Sequence, residues 1–166
     1  MKLFIVYLGG RIAGCHIEMH DVRFVAANTI EEAYPKLKQQ WVGDKGSVHM
    51  DSYTIIEHAD GHAVELTEQP VSQSQQLYFV NLGAYRPGSL AEIHDFGLYV
   101  AGSPDEAKEK AKAHLLSGLS HLHKDDLHDV DDCFAVDLLD QQLNIKLTPS
   151  GQSTPLTPLW FGYHPL

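Results

Sequence analysis

Apolar positions alternate along the chain in a way that predicts buried strands. Residues 3–8 and 77–80 are apolar on both alternating faces, which is typical of strands covered on both sides. Each run is followed by about a dozen residues with glycines, and then by a second apolar run at residues 22–27 or 96–101. We therefore expect two pairs of strands, each with a central, fully buried member.

Helical patterns follow each strand pair. Each helix is predicted to begin with a capping box, at Thr29 with Glu32 and at Ser103 with Glu106. In this motif the cap hydroxyl accepts from the amide three residues later, and the glutamate at that position accepts from the amide of the cap residue. Pro35 falls inside the first helix, where we expect a kink or a restart. Beyond the boxes, apolar residues recur at helical period and form one face toward the sheet. They are Ile30, Ala33, Leu37 and Trp41 in the first helix, and Ala107, Ala111, Leu115, Leu119 and Leu122 in the second.

Two further strands are predicted after each helix. Residues 53–58 and 62–67 flank a turn that contains Asp-Gly, a strong hairpin signal, and residues 133–138 and 143–147 repeat the pair. The element order is then β-β-α-β-β, twice. Because strand, helix and strand in succession favour a right-handed parallel crossover, we predict an α+β fold with a mixed sheet and one helix per repeat.

The repetition extends to the residues themselves. When residues 2–41 are shifted by 74 positions, 13 of 40 residues are identical without a gap, and two glycines and an acid-histidine-acid cluster are among them. Core packing alone does not demand those polar identities, so we infer a duplication with pseudo-twofold halves that share one core. The expected division is a first repeat at 1–67, a linker at 68–75, a second repeat at 76–148 and a tail at 149–166.

Charge and composition narrow the classes of partner. The formal net charge is -10 with only 12 Lys plus Arg, which argues against nucleic-acid binding because phosphate contacts require clustered positive charge. No stretch approaches the roughly 18–20 apolar residues of a membrane span. The two cysteines, Cys15 and Cys133, fall at unmatched positions of the repeat and do not form a disulfide framework, so a cytoplasmic location is expected.

The strongest candidate for a site is a polar pattern that precedes the second strand of each repeat. It comprises Glu18, His20 and Asp21, and their counterparts Glu92, His94 and Asp95. If this segment is extended, Glu18 and His20 share one face and Asp21 lies on the other. The acid and the imidazole could converge on a ligand, as two sites or one shared site. Alternatively, the aspartates accept amides of their own turns and His20 bridges loop carbonyls, which we weigh slightly more heavily.

Four glycines are expected to shape the loops that carry this pattern. They are Gly9 and Gly14 in the first repeat, and Gly83 and Gly88 in the second. Matched glycines at such positions indicate positive φ or a close approach of another chain segment.

A second polar cluster has the composition of a metal site. It includes His121, His123, Asp125 and His128, largely within the insertion of the second repeat. Neither its spacing nor its ligand types match a structural zinc pattern. A solvated acidic loop that collects divalent ions adventitiously is the favoured interpretation.

The tail carries four prolines and then the aromatic residues Trp160, Phe161 and Tyr163. Terminal aromatics more often pack on their own chain than in a partner's groove, and we favour that interpretation. A homo-oligomer joined through the tail is the alternative.

The first repeat also resembles a known family. The string from Leu8-Gly-Gly to Phe24-Val25, completed by residues 30–37 and Trp41, is similar to a bacterial domain-of-unknown-function family, the one numbered 1543, found as one or two copies per protein. The resemblance covers most of the first repeat and, more weakly, the second. It implies no activity and carries over no catalytic residue; the residues that match its motif are Gly9, Gly14, Glu18, His20 and Asp21.

Two functions follow from these observations. The first is a non-enzymatic module that binds a small molecule or a protein through the loops of Glu18/His20 and Glu92/His94, with no cofactor. The alternative is a metal-assisted enzyme in which a divalent ion is held by Glu18 and His20. Neither involves nucleic acid or a membrane.

Overall fold

The computed structural model describes residues 1–85, 87–115, 128–136 and 143–166, and for residues 128–134 it describes the backbone. The first half contains β1 (Lys2–Gly10), β2 (Met19–Ala27), α1 (Ile30–Gln40), β3 (His49–Ile55), β4 (His58–Ala59) and β5 (His62–Thr67). The second half contains β6 (Gln76–Ala84), β7 (Ile93–Ala101), α2 (Pro104–His114), β8 (His128–Ala135), β9 (Asn144–Pro149) and β10 (Trp160–Pro165). The α+β class and the duplicated unit with one helix each are confirmed.

Three sheets are formed, with strand orders β10-β3-β1-β2, β7-β6-β8 and β4-β5-β9. The expected mixed sheet is wrong in one respect, because the strand pairings among the described residues are all antiparallel. The crossover through α1 does join parallel strands, β2 and β3. They are not neighbours, however, because β1 lies between them and pairs with both.

The two halves share their strand registers as well as their sequence. In the first repeat Lys2 of β1 lies opposite Ala27 of β2, and in the second Gln76 of β6 lies opposite Ala101 of β7, which is the same register after the 74-residue shift. A β-bulge interrupts β1–β3 between Tyr7 and Leu8, and its counterpart interrupts β6–β8 at the equivalent position. The duplication therefore extends to local irregularities of the backbone.

Period two along the central strands explains the layers. Phe4, Val6 and Leu8 of β1 pack against α1, whereas Leu3 and Ile5 face the other half of the molecule. Residues of β6 divide in the same way between α2 and the interior. The interior cluster contains residues of both halves, and its members are Leu3, Ile5, Phe24, Ile56, Ala59, Val64, Leu77, Phe79, Val100 and Val136. The two sheets thus enclose one shared core, with a helix on each outer face.

Both helices begin at the predicted caps. The Thr29 hydroxyl accepts from the Glu32 amide at 3.4 Å, and the Ser103 hydroxyl accepts from the Glu106 amide at 3.2 Å. Each glutamate reaches back to the amide one residue before its cap. α1 runs unbroken through Pro35, so the expected restart does not occur. Leu119 and Leu122, predicted on the face of the second helix, lie outside the described residues.

The predicted hairpin turn also connects the halves. Asp60 and Gly61 have φ values of 45° and 79°, the left-handed conformation that a two-residue hairpin requires. The Asp60 carboxylate accepts from the Val100 amide at 3.0 Å and from the Lys110 ammonium at 2.9 Å, both in the second repeat. Strand β5 then pairs with β9 of the second repeat. The third sheet therefore closes one side of the shared core.

The tail returns to its own chain. Strand β10 pairs with β3 as the outer strand of the first sheet, and the terminal carbonyl of Leu166 accepts from Lys38 at 2.8 Å. Leu159, Phe161 and Tyr163 nevertheless remain exposed on this edge. Packing of the aromatics on the chain is thus observed for Trp160, and Tyr163 contacts His49 with one side of its ring, while a homo-oligomer through the tail stays a prediction.

The burial of Tyr99 predicts that the protein loses stability at high pH. Burial of this β7 side chain raises the pKa of Tyr99 to about 12, and Asp95 and Asp60 add to the rise. Because the folded pKa lies above the unfolded value near 10, the associated stability is intact below pH 10 and is lost as pH rises toward 12. We expect the free energy of unfolding, measured by denaturant titration at pH 9 and 11.5, to fall more for wild type than for Tyr99→Phe.

The control for this experiment is Tyr85→Phe, at an exposed tyrosine. It should follow the wild-type pH dependence. Parallel curves for wild type and Tyr99→Phe would contradict the assignment.

Candidate functional site

The candidate site lies at one end of the space between the two main sheets. Inward-facing positions of β1 are Leu3, Ile5, Tyr7 and Gly9, so the interior changes from apolar to polar along the strand. Beyond Tyr7, polar side chains from β2, β3 and the preceding loop converge over Gly9. This convergence is produced by cross-strand register.

Gly9 provides the space for His49. The two residues are paired across β1 and β3, and His49 is only 2% exposed. A Cβ on Gly9 would collide with Nε2 of His49, and would come within 2.9 Å of its Cε1 and 3.0 Å of the Asp51 Oδ2. The Tyr163 ring, with its centroid 4.3 Å away, lies against the imidazole. Position 9 therefore requires a glycine, because the imidazole of His49 lies directly over the backbone of β1 there.

Backbone contact fixes the orientation of the His49 ring. Its Nδ1 lies 3.2 Å from the Ser47 carbonyl, which can only accept, so Nδ1 carries a hydrogen. The other nitrogen, Nε2, faces two carboxylates: Asp51 Oδ1 at 3.3 Å and Glu18 Oε1 at 3.7 Å. The ring is thus held with one nitrogen directed at a cluster of acids.

His20 and Asp51 complete the cluster. His20 lies opposite Gly9 on β2, and its Nε2 is 3.4 Å from Asp51 Oδ2. Asp51 falls at the β-bulge and has no directly opposed residue on β1, so its carboxylate lies between the two histidines. Potential ligand atoms of Glu18, His20 and His49 all lie within 4.8 Å of one another. We call Glu18, His20, His49 and Asp51 the acid-imidazole cluster.

Tyr7 borders the cluster on the side of the core. Its ring stacks on that of His20, with centroids 5.5 Å apart and planes 9° from parallel. Burial raises the pKa of Tyr7, and the charges of Asp51 and Asp21 raise it further. The phenol is therefore neutral at physiological pH and available as a hydrogen-bond donor.

Asp21 is not part of the cluster. Its carboxylate accepts from the amide of Val22 at 2.8 Å and pairs with Arg23 at 2.5 Å. Asp95 likewise accepts from the amide of Phe96 at 2.9 Å. Each aspartate thus accepts from the amide of the next residue in its own strand.

The second repeat differs from the first at the decisive positions. His94 Nε2 lies 3.5 Å from Glu92 Oε2, so the acid and imidazole are again close. Gly83, however, is paired with Asp129, where Gly9 is paired with His49. In the second repeat, Asp129 therefore lies at the position that His49 occupies in the first.

One cavity receives side chains from both repeats. Its volume is about 550 Å³, and it is lined by Tyr7, His20, Asp21, Val22, Arg23, Phe79, Asn81, His94 and Phe96. Three pairs of these residues are equivalent under the 74-residue shift: Tyr7 and Asn81, His20 and His94, Val22 and Phe96. The two repeated patterns thus contribute their histidines to a shared space, while Glu18 and Glu92 do not line it.

Comparison with known proteins places the chain in a family. The family model described as "Domain of Unknown Function (DUF1543)" matches residues 15–66 and 89–139. The chain belongs to the DUF1543 family. Both matches include the histidine and acidic residues at the start of the second strand of each repeat, and the first includes His49 and Asp51. The resemblance inferred from sequence is confirmed, as two tandem copies.

A solved structure is similar over almost the whole chain. The crystal structure of protein Il1583 from Idiomarina loihiensis matches with a TM-score of 0.77 and 38% identity, covering 99% of this chain and 97% of that one. No curated protein matches the chain. In the part of the chain that the structure describes, neither helix has the length and apolarity needed to span a membrane.

The remaining predicted site residues of the DUF1543 repeats are placed as follows. Gly14 and Gly88 have φ values of 87° and 84°, so each forms a left-handed turn. His121, His123 and Asp125 lie outside the described residues. His128 begins β8, opposite Ala84, and its side chain also lies outside the description. The second polar cluster therefore stays a prediction.

Sequence reasoning missed His49, Asp51 and Tyr7 as members of the site. The His-x-Asp pattern at 49 and 51 is visible in the sequence, and Gly9 signalled a close approach. The local pattern does not reveal the register between β1 and β3, and this register decides whose side chain lies over Gly9.

Proposed function

We propose that the protein is a non-enzymatic module that binds a small planar molecule, neutral or cationic, in the cavity between its two repeats. The observation that carries this proposal is the lining of one cavity by equivalent residues of both repeats. A volume of about 550 Å³ falls in the range of small-molecule sites. Because the domain is duplicated, each repeat contributes equivalent residues to opposite sides of one ligand site.

Aromatic rings support a planar ligand. Tyr7 and Phe96 are stacked with centroids 6.2 Å apart, and Phe96 and Phe79 follow at 5.4 Å. These rings form a continuous apolar wall across the boundary of the repeats. Flat ligands gain dispersion and stacking energy on such a wall.

Charge supports a ligand that is not an anion. Arg23, the arginine among the described residues that line the cavity, is paired with Asp21 and also donates to the Val22 carbonyl at 2.8 Å. His20 and His94 each lie beside a carboxylate. Since the chain carries a net charge of -10, an anion would meet repulsion at this surface.

A cavity-filling substitution tests the proposal. Val22→Phe introduces the side chain that the second repeat already has at the equivalent position, Phe96, and it occupies the cavity. We expect adenine or indole, added to isotope-labelled protein, to shift amide resonances around the cavity in both repeats. Binding should weaken at least about 10-fold in Val22→Phe, since about 1.4 kcal/mol of contact is removed.

The matched control is Val42→Phe, because Val42 is 67% exposed and lies away from the cavity lining. It should bind the same probes as wild type. Unchanged binding in Val22→Phe, or shifts confined to residues away from the cavity, would count against the proposal.

The alternative function, a metal-assisted enzyme, is favoured by one observation: the acid-imidazole cluster at the edge of the cavity. It requires that the cluster bind a metal ion.

A further inference from the structure

The geometry of the acid-imidazole cluster points to a metal site. We propose that the first repeat binds one divalent first-row transition ion, with zinc as the representative, through Glu18, His20 and His49. This inference does not depend on the ligand proposed for the cavity. The two sites share His20, which lines the cavity, whereas Glu18 and His49 do not line it.

Spacing between the candidate ligand atoms fits coordination better than hydrogen bonding. In a tetrahedral site with bonds of about 2.0–2.1 Å, neighbouring ligand atoms are about 3.3–3.4 Å apart. The proposed ligand atoms of Glu18, His20 and His49 lie within 4.8 Å of one another, and His49 Nε2 is 3.7 Å from Glu18 Oε1. Asp51, the candidate for a fourth position, lies 3.3 Å from the His49 nitrogen and 3.4 Å from that of His20. Charge-assisted hydrogen bonds would be about 2.7–2.9 Å. Small movements of the exposed Glu18 and His20 side chains are enough to bring their atoms to an ion.

The orientation of the His49 ring also favours a positive charge at this place. Because Nδ1 donates to the Ser47 carbonyl, neutral His49 presents the lone pair of Nε2 to the oxygens of Glu18 and Asp51. A lone pair facing carboxylates is repulsive unless a positive charge, either a proton on Nε2 or a metal ion, lies between them. A metal ion at this place would be bound by the His49 lone pair and would attract the carboxylates of Glu18 and Asp51.

Asp51 supplies an independent sign of a missing partner. Its Oδ2 is buried and accepts no hydrogen bond in the part of the chain that the structure describes, although His20 Nε2 lies 3.4 Å away. Burying a carboxylate oxygen that accepts no hydrogen bond is costly, and a cation nearby offsets the cost. With Glu18, Asp51 provides the two negative charges that balance a divalent ion.

The site is anchored on one side and accessible on the other. His49 is buried, held by Ser47 and fitted over Gly9, so its Nε2 is fixed before an ion arrives. Glu18 and His20 are exposed and can admit the ion from solvent. Two imidazoles and a carboxylate favour zinc-like ions over Mg²⁺ or Ca²⁺, which prefer oxygen ligands. Three ligands leave a fourth position for water or for Asp51.

Within the described residues, only the first repeat is expected to hold such an ion. The register position of His49 is occupied by Asp129 in the second repeat, so that repeat lacks the anchoring imidazole. Among the side chains that the structure describes in the second repeat, Glu92 and His94 form a close pair.

The test is zinc titration of the untagged, full-length protein after removal of metal, followed by calorimetry. We expect one Zn²⁺ per chain, and affinity reduced at least about 100-fold in His20→Ala, because loss of a direct ligand exceeds the 10–100-fold effect of outer partners. His20 is exposed, so this variant should remain folded. Excess Mg²⁺ or Ca²⁺ should not displace the zinc.

The matched control is His94→Ala, which removes the equivalent histidine of the second repeat and should leave the stoichiometry and affinity unchanged. Co²⁺ in place of zinc should give the strong visible absorption of a tetrahedral site in wild type and His94→Ala, and lose it in His20→Ala. Absence of stoichiometric zinc in wild type overturns the proposal. Equal losses in His20→Ala and His94→Ala overturn it as well, because they would place the ion in the shared cavity.

Discussion

Replacing Phe79 with alanine should lower the free energy of unfolding by about 3–5 kcal/mol. Phe79 is 6% exposed, and its ring meets that of Phe24 edge-on with centroids 5.6 Å apart. That contact joins β6 of the second repeat to β2 of the first. The substitution therefore removes packing from the core that both repeats share, and we expect both to unfold together at lower denaturant concentration.

Tryptophan fluorescence can distinguish a shared core from two independent ones. The chain has two tryptophans, Trp41 and Trp160, and both pack in the cluster between the first sheet and α1. A substitution in the second repeat is thus reported by probes in the first. The control, Phe161→Ala, removes a ring that is 79% exposed and should change stability by less than about 0.5 kcal/mol. An unshifted tryptophan transition in Phe79→Ala would mean that the repeats fold separately.

Gly9→Ala should weaken zinc binding by about 10–100-fold and cost about 1–3 kcal/mol of stability. The new Cβ would occupy the space of the His49 ring and press on Asp51. Alanine for glycine restricts the unfolded chain and would by itself stabilise by about 0.4–1 kcal/mol. The collision outweighs this gain because the imidazole is buried and held by the Ser47 carbonyl. Calorimetric zinc titration and denaturant unfolding measure the two effects.

Gly46→Ala is the matched control, in the loop just before His49. A Cβ there meets only the Asp44 carboxylate, at 3.5 Å, an ordinary contact. Its zinc affinity should equal that of wild type. If Gly9→Ala also binds zinc normally, the ion is not held by His49.

Local patterns sufficed to predict the elements that depend on local chemistry. Buried central strands followed from residues that are apolar on both faces, and the helix starts followed from a hydroxyl and a glutamate three residues apart. The Asp60-Gly61 turn followed from its tolerance of positive φ. The duplication was visible because both copies retain polar identities that packing does not require.

Pairing between distant segments could not be predicted in the same way. The placement of β1 between β2 and β3, the joining of β5 to β9 and the return of β10 to β3 are choices among strands with similar patterns. A shift of one residue in the β1–β3 register would turn His49 to the other face. The sequence therefore indicated Glu18 and His20, and the fold added their partners.

The difference between the repeats follows from the same geometry. Duplication gave two strand ends with glycine, acid and histidine, but only the first has a histidine across from the glycine. Both repeats contribute to the cavity, whereas the proposed ion belongs to one of them. Binding of a small molecule and binding of a metal can therefore be separated by substitution.

Anomalous X-ray scattering from zinc-loaded crystals of the full chain tests this account most directly. We expect one strong peak at about 2.0–2.1 Å from Nε2 of His20 and of His49, with the Glu18 carboxylate also in contact. No comparable peak should lie beside Glu92 and His94. A map without a peak at His49, or with equal peaks in both repeats, would contradict it.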